Sequence, residues 1–150
     1  MHTVECHKGV RSVALYPNSD RVAACTKETF YVWDTSTQQL IASKNISESL
    51  HVAVSNDGKW LAVGSFGSIS LHDASTLDRI WSHDRQSDSV SFSPDHCQLV
   101  SANNDDRKAE LIDVQTGNLV KSFGQFRVHR AVFSHDGTRV LLGESCPVAL

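Results

Sequence analysis

The chain has 150 residues, 40% of them apolar, with a net charge of −3 and a pI near 6.2. That supports one folded core and argues against a general binder of nucleic acid or anionic membrane, which would carry a basic stripe. No stretch approaches the roughly 18 apolar residues of a spanning helix, and the opening MHTVECHKGV lacks the apolar run of a signal peptide, so a soluble cytoplasmic protein is expected, with the nucleus as the alternative.

Taken in chain order, the elements are short strands separated by turn chemistry. Residues 3–6 read as an outer strand. SVALYPNSDRVAAC (Ser12–Cys25) then reads as strand, turn, strand, and YVWDTST follows as a third strand and its exit turn. The same series returns as HVAVSNDGKWLAVG (His51–Gly64) with SLHDAST, and again as SVSFSPDHCQLVSA (Ser89–Ala102) with LIDVQT. A fourth series, RAVFSHDGTRVLLG (Arg130–Gly143), is followed by Val148–Leu150, which aligns with Ile69–Leu71. The turn residues Asn18, Asp57, Asp95 and Asp136 lie 39, 38 and 41 residues apart, and Asp34, Asp73 and Asp113 repeat at 39 and 40, each followed three residues later by Thr37, Thr76 or Thr116. Two registers share one period.

Asp-Gly, Ser-Pro-Asp and Thr-Gly turns supply the positive φ of hairpins at little cost. Runs such as KWLAVG and RVLLG are almost continuously apolar, the signature of strands covered on both faces. A four-stranded sheet with two apolar faces must stack on copies of itself, which explains the repetition.

A period near 40, four strands per unit, a Ser-Pro-Asp-type first turn and Trp33-Asp34 at the end of a third strand together resemble the WD-repeat β-propeller. The resemblance covers almost the whole chain. It implies an all-β fold, a partial propeller of three complete antiparallel blades (about 7–43, 46–82 and 85–122) and an incomplete fourth (125–150). It also implies a structural tetrad of turn Asp, His, Ser or Thr, and Trp. The first repeat has His7 and Trp33 but Lys27-Glu28 at the turn. The third has His83, Ser101 and Asp105 or Asp106, with Ile112 in place of Trp; the second lacks both Trp and turn Asp. Blades held mainly by apolar packing are therefore expected.

Closed propellers need at least roughly four blades. An open arc of this kind would leave two apolar faces uncovered, at about 6–18 kcal/mol for two or three large side chains each, against about 5–15 kcal/mol of total domain stability. Three readings follow: a piece of a longer propeller, a short protein that closes its ring with a second copy as a homodimer, or a marginal open arc.

No phosphate loop, dinucleotide fingerprint or nucleophile elbow is present. The cysteines Cys6, Cys25, Cys97 and Cys146 form no Cys-x-x-Cys pair, and Cys25 and Cys146 read as buried thiols. The histidines fall at turns and strand ends without paired ligand spacing, and Asp34, Asp73 and Asp113 read as turn caps. No cofactor, no metal and no catalytic set is expected. What remains is surface. Loops before the first strand and between the second and third strands gather on one face, with Arg11, Phe66, Arg85, Arg107 and Phe126 as candidate contacts for a protein or peptide partner. Phe66 and Phe126 have blade junctions as their other reading. Trp60 and Trp81 interrupt otherwise non-aromatic repeat positions and are either contacts or covers for neighbouring aliphatic side chains. The resemblance implies a non-catalytic interaction scaffold; the alternative is an enzyme or small-ligand sensor segment within a larger signalling protein.

Overall fold

The computed structural model describes residues 9–18, 20–124 and 127–143. Strands β1 (Ser12–Leu15), β2 (Arg21–Cys25), β3 (Thr29–Asp34) and β4 (Leu40–Asn45) form the first blade, in chain order across the sheet. The second blade is β5 (Ser49–Val54), β6 (Trp60–Ser65), β7 (Ile69–Asp73) and β8 (Arg79–His83), and the third is β9 (Ser89–Phe92), β10 (Gln98–Asn103), β11 (Lys108–Asp113) and β12 (Leu119–Phe123). A two-stranded sheet of β13 (Arg130–Phe133) and β14 (Val140–Gly143) follows. All pairings are antiparallel. The architecture is all-β and propeller-like, as the repeat predicts. The strands expected at residues 3–6 and 148–150 lie outside the described residues.

Each complete blade repeats the same irregularity. Register shifts between the third and fourth strands at Val32/Trp33, Leu71/His72 and Leu111/Ile112, and the turn that follows contains Gln38, Leu77 or Gly117 at φ 60°, 62° or 73°. A buried leucine in the left-handed region is strained. The preceding Asp73 holds the turn, its carboxylate accepting from the backbone N–H of Ser75 at 2.8 Å and Thr76 at 2.9 Å.

Because side chains alternate along a strand, each sheet has two apolar faces, and successive sheets stack through three clusters. Phe30, Val32 and Ala23 of the first blade meet Val52, Leu61 and Val63 of the second. Ala62, Ile69 and Leu71 then meet Val90, Leu99 and Ile112, and Val100, Ala102 and Ala109 meet Val128 and Ala131. Tyr16 adds a bond from its hydroxyl to Ala74 O across the first junction, at 2.8 Å. Leu15 on the outer face of the first blade and Leu141 on that of the last sheet are 65% and 70% exposed.

Candidate interaction face

The loops that precede each first strand and join each second strand to its third lie at one end of the sheets. At the first junction, Arg11 Nη1 donates to Ser49 O at 3.2 Å and lies 3.9 Å from the Glu48 carboxylate, which Lys27 Nζ also approaches at 3.1 Å. Glu48 is held at φ 56°, and its carbonyl accepts from the Phe66 N–H at 3.1 Å. The Phe66 ring is thereby presented outward, 54% exposed. Arg11 and Phe66 are thus tied to one residue, Glu48.

At the third blade the loop is braced differently. Asp106 N–H donates to Asn103 Oδ1 at 2.9 Å, Asn103 Nδ2 donates to Asp106 Oδ2 at 3.0 Å, and Asn104 N–H donates to Asp88 Oδ2 at 2.7 Å. Arg107 follows at φ 56°, exposed. Among the described residues it forms no ion pair. Arg85 is engaged: its Nη1 lies 3.3 Å from Glu110 Oε2, while Lys108 Nζ lies 3.1 Å from Glu110 Oε1. Glu110 is 7% exposed, a buried carboxylate that needs both cations. The signal was present in KAELID, where an acid two residues from a lysine interrupts an apolar strand.

The two unusual tryptophans are not on this face. Trp81 is half-buried against the second cluster, and its Nε1 donates to Val114 O of the third blade at 2.9 Å. Trp60 packs on the same cluster. Both pack against neighbouring apolar side chains as partly buried rings. Phe126 and His7 lie outside the described residues.

The tetrad positions also resolve differently from the family pattern. His83 does not reach Ser101; its Nε2 lies 2.7 Å from Gly117 O, beside the Trp81 ring at 5.3 Å. Ser101 donates instead to the hydroxyl of Ser87, at 2.8 Å, so a buried serine stands before the first strand of that blade. The reason is spatial: His83 ends the outer strand β8, whereas Ser101 lies in the interior of its sheet. Trp33 lies on the first blade's outer face, stacked on Tyr31 at 5.1 Å.

The repeated acids cap turns at the opposite end. Asp34 accepts from Ser36 N–H at 2.8 Å, Ser36 Oγ at 2.6 Å and Thr37 N–H at 2.7 Å, which hold its carboxyl down at about 2. Asp113 accepts from Thr116 N–H at 2.8 Å and Thr116 Oγ1 at 2.7 Å, and is lowered in the same way, as is Asp73 by Thr76 and Ser75. These carboxylates are ionised turn caps that accept through Oδ1. No group of three or more metal-type ligands is found among the described residues.

Comparison with known proteins agrees with this architecture. Residues 1–34 match the family profile described as WD domain, G-beta repeat. An uncharacterized WD repeat-containing protein of Synechocystis sp. (strain ATCC 27184 / PCC 6803 / Kazusa) is 22% identical over 142 residues, covering 89% of this chain and 41% of that protein. Among solved structures, hydrazine synthase of Kuenenia stuttgartiensis superposes with a TM-score of 0.83 at 18% identity, over 95% of this chain and 44% of the other. The chain spans about two fifths of the length of the curated relative it matches. The repeat profile falls on the first-blade segment, the later sheets are built to the same antiparallel plan, and the chain is similar to WD-repeat proteins with a propeller-like all-β architecture.

Proposed function

We propose that the chain is a non-catalytic interaction scaffold that binds a protein or peptide through the loop face carrying Arg11, Phe66, Arg85 and Arg107. The observation that carries this reading is Phe66, an aromatic ring 54% exposed at a turn braced from below by Glu48. Aromatic and arginine side chains on a rigid base are the usual anchors of protein interfaces, because little side-chain entropy is lost on binding. The relative and the structural neighbour support the fold, and WD repeats as a class support protein binding.

Placing a photo-crosslinking phenylalanine analogue at position 66 tests the proposal. A discrete adduct is expected at 66, lost in an Arg107→Glu background, with none from the same analogue at Ser36 in a turn at the opposite end. Equal labelling from both positions, or none from 66, overturns it.

A further inference from the structure

A cleft of about 230 Å³ opens at the junction of the first and second blades, lined by Lys44, Asn45, Ser70, His72, Arg79 and Ser82 among others. It exists because of the sequence. Trp33, His72 and Ile112 are equivalent positions in the three repeats, as are Tyr31, Ser70 and Glu110. In the first blade two aromatic rings occupy this pair, stacked on each other. In the second, a serine and a histidine leave the space unfilled and polar.

The electrostatics of the cleft have one sign. No carboxylate lines it, and neither Lys44 nor Arg79 forms an ion pair among the described residues. Lys44 Nζ donates to Leu77 O at 2.8 Å, which fixes the ammonium at the wall. His72 Nδ1–H donates to the same carbonyl at 3.2 Å, so its Nε2 is left to accept from Ser70 Oγ at 3.0 Å. Burial and the Lys44 and Arg79 charges keep the ring neutral, down at about 4. The donors remaining for a ligand are the Arg79 guanidinium, the Ser82 hydroxyl, the Asn45 amide nitrogen and the unused protons of Lys44.

The next junction shows what such a space holds. Glu110, the equivalent of Ser70, places a carboxylate there, clamped between Arg85 at 3.3 Å and Lys108 at 3.1 Å. The first junction has cations along the cleft, Lys44 from the first blade and Arg79 from the second, but no acid. We propose that this cleft is an oxyanion site that takes a phosphate group. Two cations, Lys44 anchored on Leu77 O and Arg79 with its donors unengaged among the described residues, together with hydroxyl and amide donors match the charge and the acceptor oxygens of phosphate, and the half-enclosed position strengthens each contact relative to water. The proposal does not depend on the scaffold reading, since a free anion tests it with no partner protein present.

The test is calorimetric titration of the full chain at neutral pH with inorganic phosphate, and in parallel with phosphoserine and unmodified serine. Saturable phosphate binding is expected, weakened about tenfold or more by Arg79→Gln and by Lys44→Gln, as for loss of one charge-assisted contact. Lys59→Gln, which removes a cation paired with Asp57 at a first-hairpin turn, should leave it unchanged. Ser70→Glu should abolish binding by supplying the acid internally, as Glu110 does. Tighter binding of phosphoserine than of inorganic phosphate identifies a phosphorylated side chain as the source; equal binding identifies the free anion. Lack of saturation with either, or affinity unchanged in both Arg79→Gln and Lys44→Gln while their circular dichroism matches the parent, overturns the site.

Discussion

Trp81→Ala separates a blade-junction residue from a surface contact. The indole packs against the second cluster, and its Nε1 bonds Val114 O across the junction at 2.9 Å. Truncating a fully buried Trp costs about 3–5 kcal/mol. Trp81 is half-buried, so about 2 kcal/mol is assigned to packing, with about 1 kcal/mol for the lost hydrogen bond. A total near 3 kcal/mol lowers the melting temperature of a domain this size by about 6–12 °C. Trp81→Phe keeps most of the ring contact and should lose only about 1 kcal/mol. Gly117 supplies an internal control. It sits at φ 73°, and a Cβ there would lie 3.0 Å from His83 Nε2 and 3.1 Å from Trp81 Cδ2. Gly117→Ala therefore combines backbone strain with a clash, and Trp81→Ala removes half of the clash. The double variant should be more stable than the sum of the single changes by at least about 0.5 kcal/mol. Urea unfolding followed by circular dichroism measures all four species. A Trp81→Ala cost below about 0.5 kcal/mol, the range of ordinary surface changes, refutes the junction role.

Gly64→Ala tests the close approach of β6 to the loop before β9, because its Cβ would lie 2.6 Å from Ser87 O and 2.8 Å from Ser87 Oγ. A cost of about 1–3 kcal/mol or more is expected from overpacking against backbone, and a parent-like urea midpoint would contradict it. His72 makes stability pH-dependent. Its folded pKa of about 4 lies below the ordinary 6.5, so the unfolded chain binds the extra proton; the neutral ring's contribution is complete above about 6.5 and is lost as pH falls toward 4, by up to about 3 kcal/mol. His72→Gln should flatten the dependence of the urea midpoint across that window, and an unchanged slope would rule out this role. Burial pushes the Cys25 thiol up to about 11, whereas Cys97 is exposed. Iodoacetamide at pH 8 should label Cys97 in the folded chain and spare Cys25 until denaturant is added, since the thiolate is the reactive form. Equal labelling in peptide mapping would show that Cys25 is accessible.

The amino-acid sequence alone determined the repeat, the strand order and the role of the recurrent acids. Those features are local: Asp34 and Thr37, or Asp73 and Thr76, cap the turn they sit in, and Gly58 and Gly137 meet the φ of 71° their hairpins require. Two apolar faces per strand likewise implied stacking, because such a sheet has no wet side. What the tertiary structure decided was which face each side chain entered and what it met there. Trp81 and Trp60 looked like departures from the pattern, and only the second junction shows them covering it. His83 and Ser101 share a repeat on paper, yet they are bonded to Gly117 and Ser87 because they lie at an outer edge and in a sheet interior. The cleft beside His72 depends on three repeats filling one equivalent position with an aromatic pair, a serine–histidine pair and a clamped acid. The substitutions are visible in the alignment, but the space they leave is set by the distance between neighbouring sheets, which no single repeat encodes.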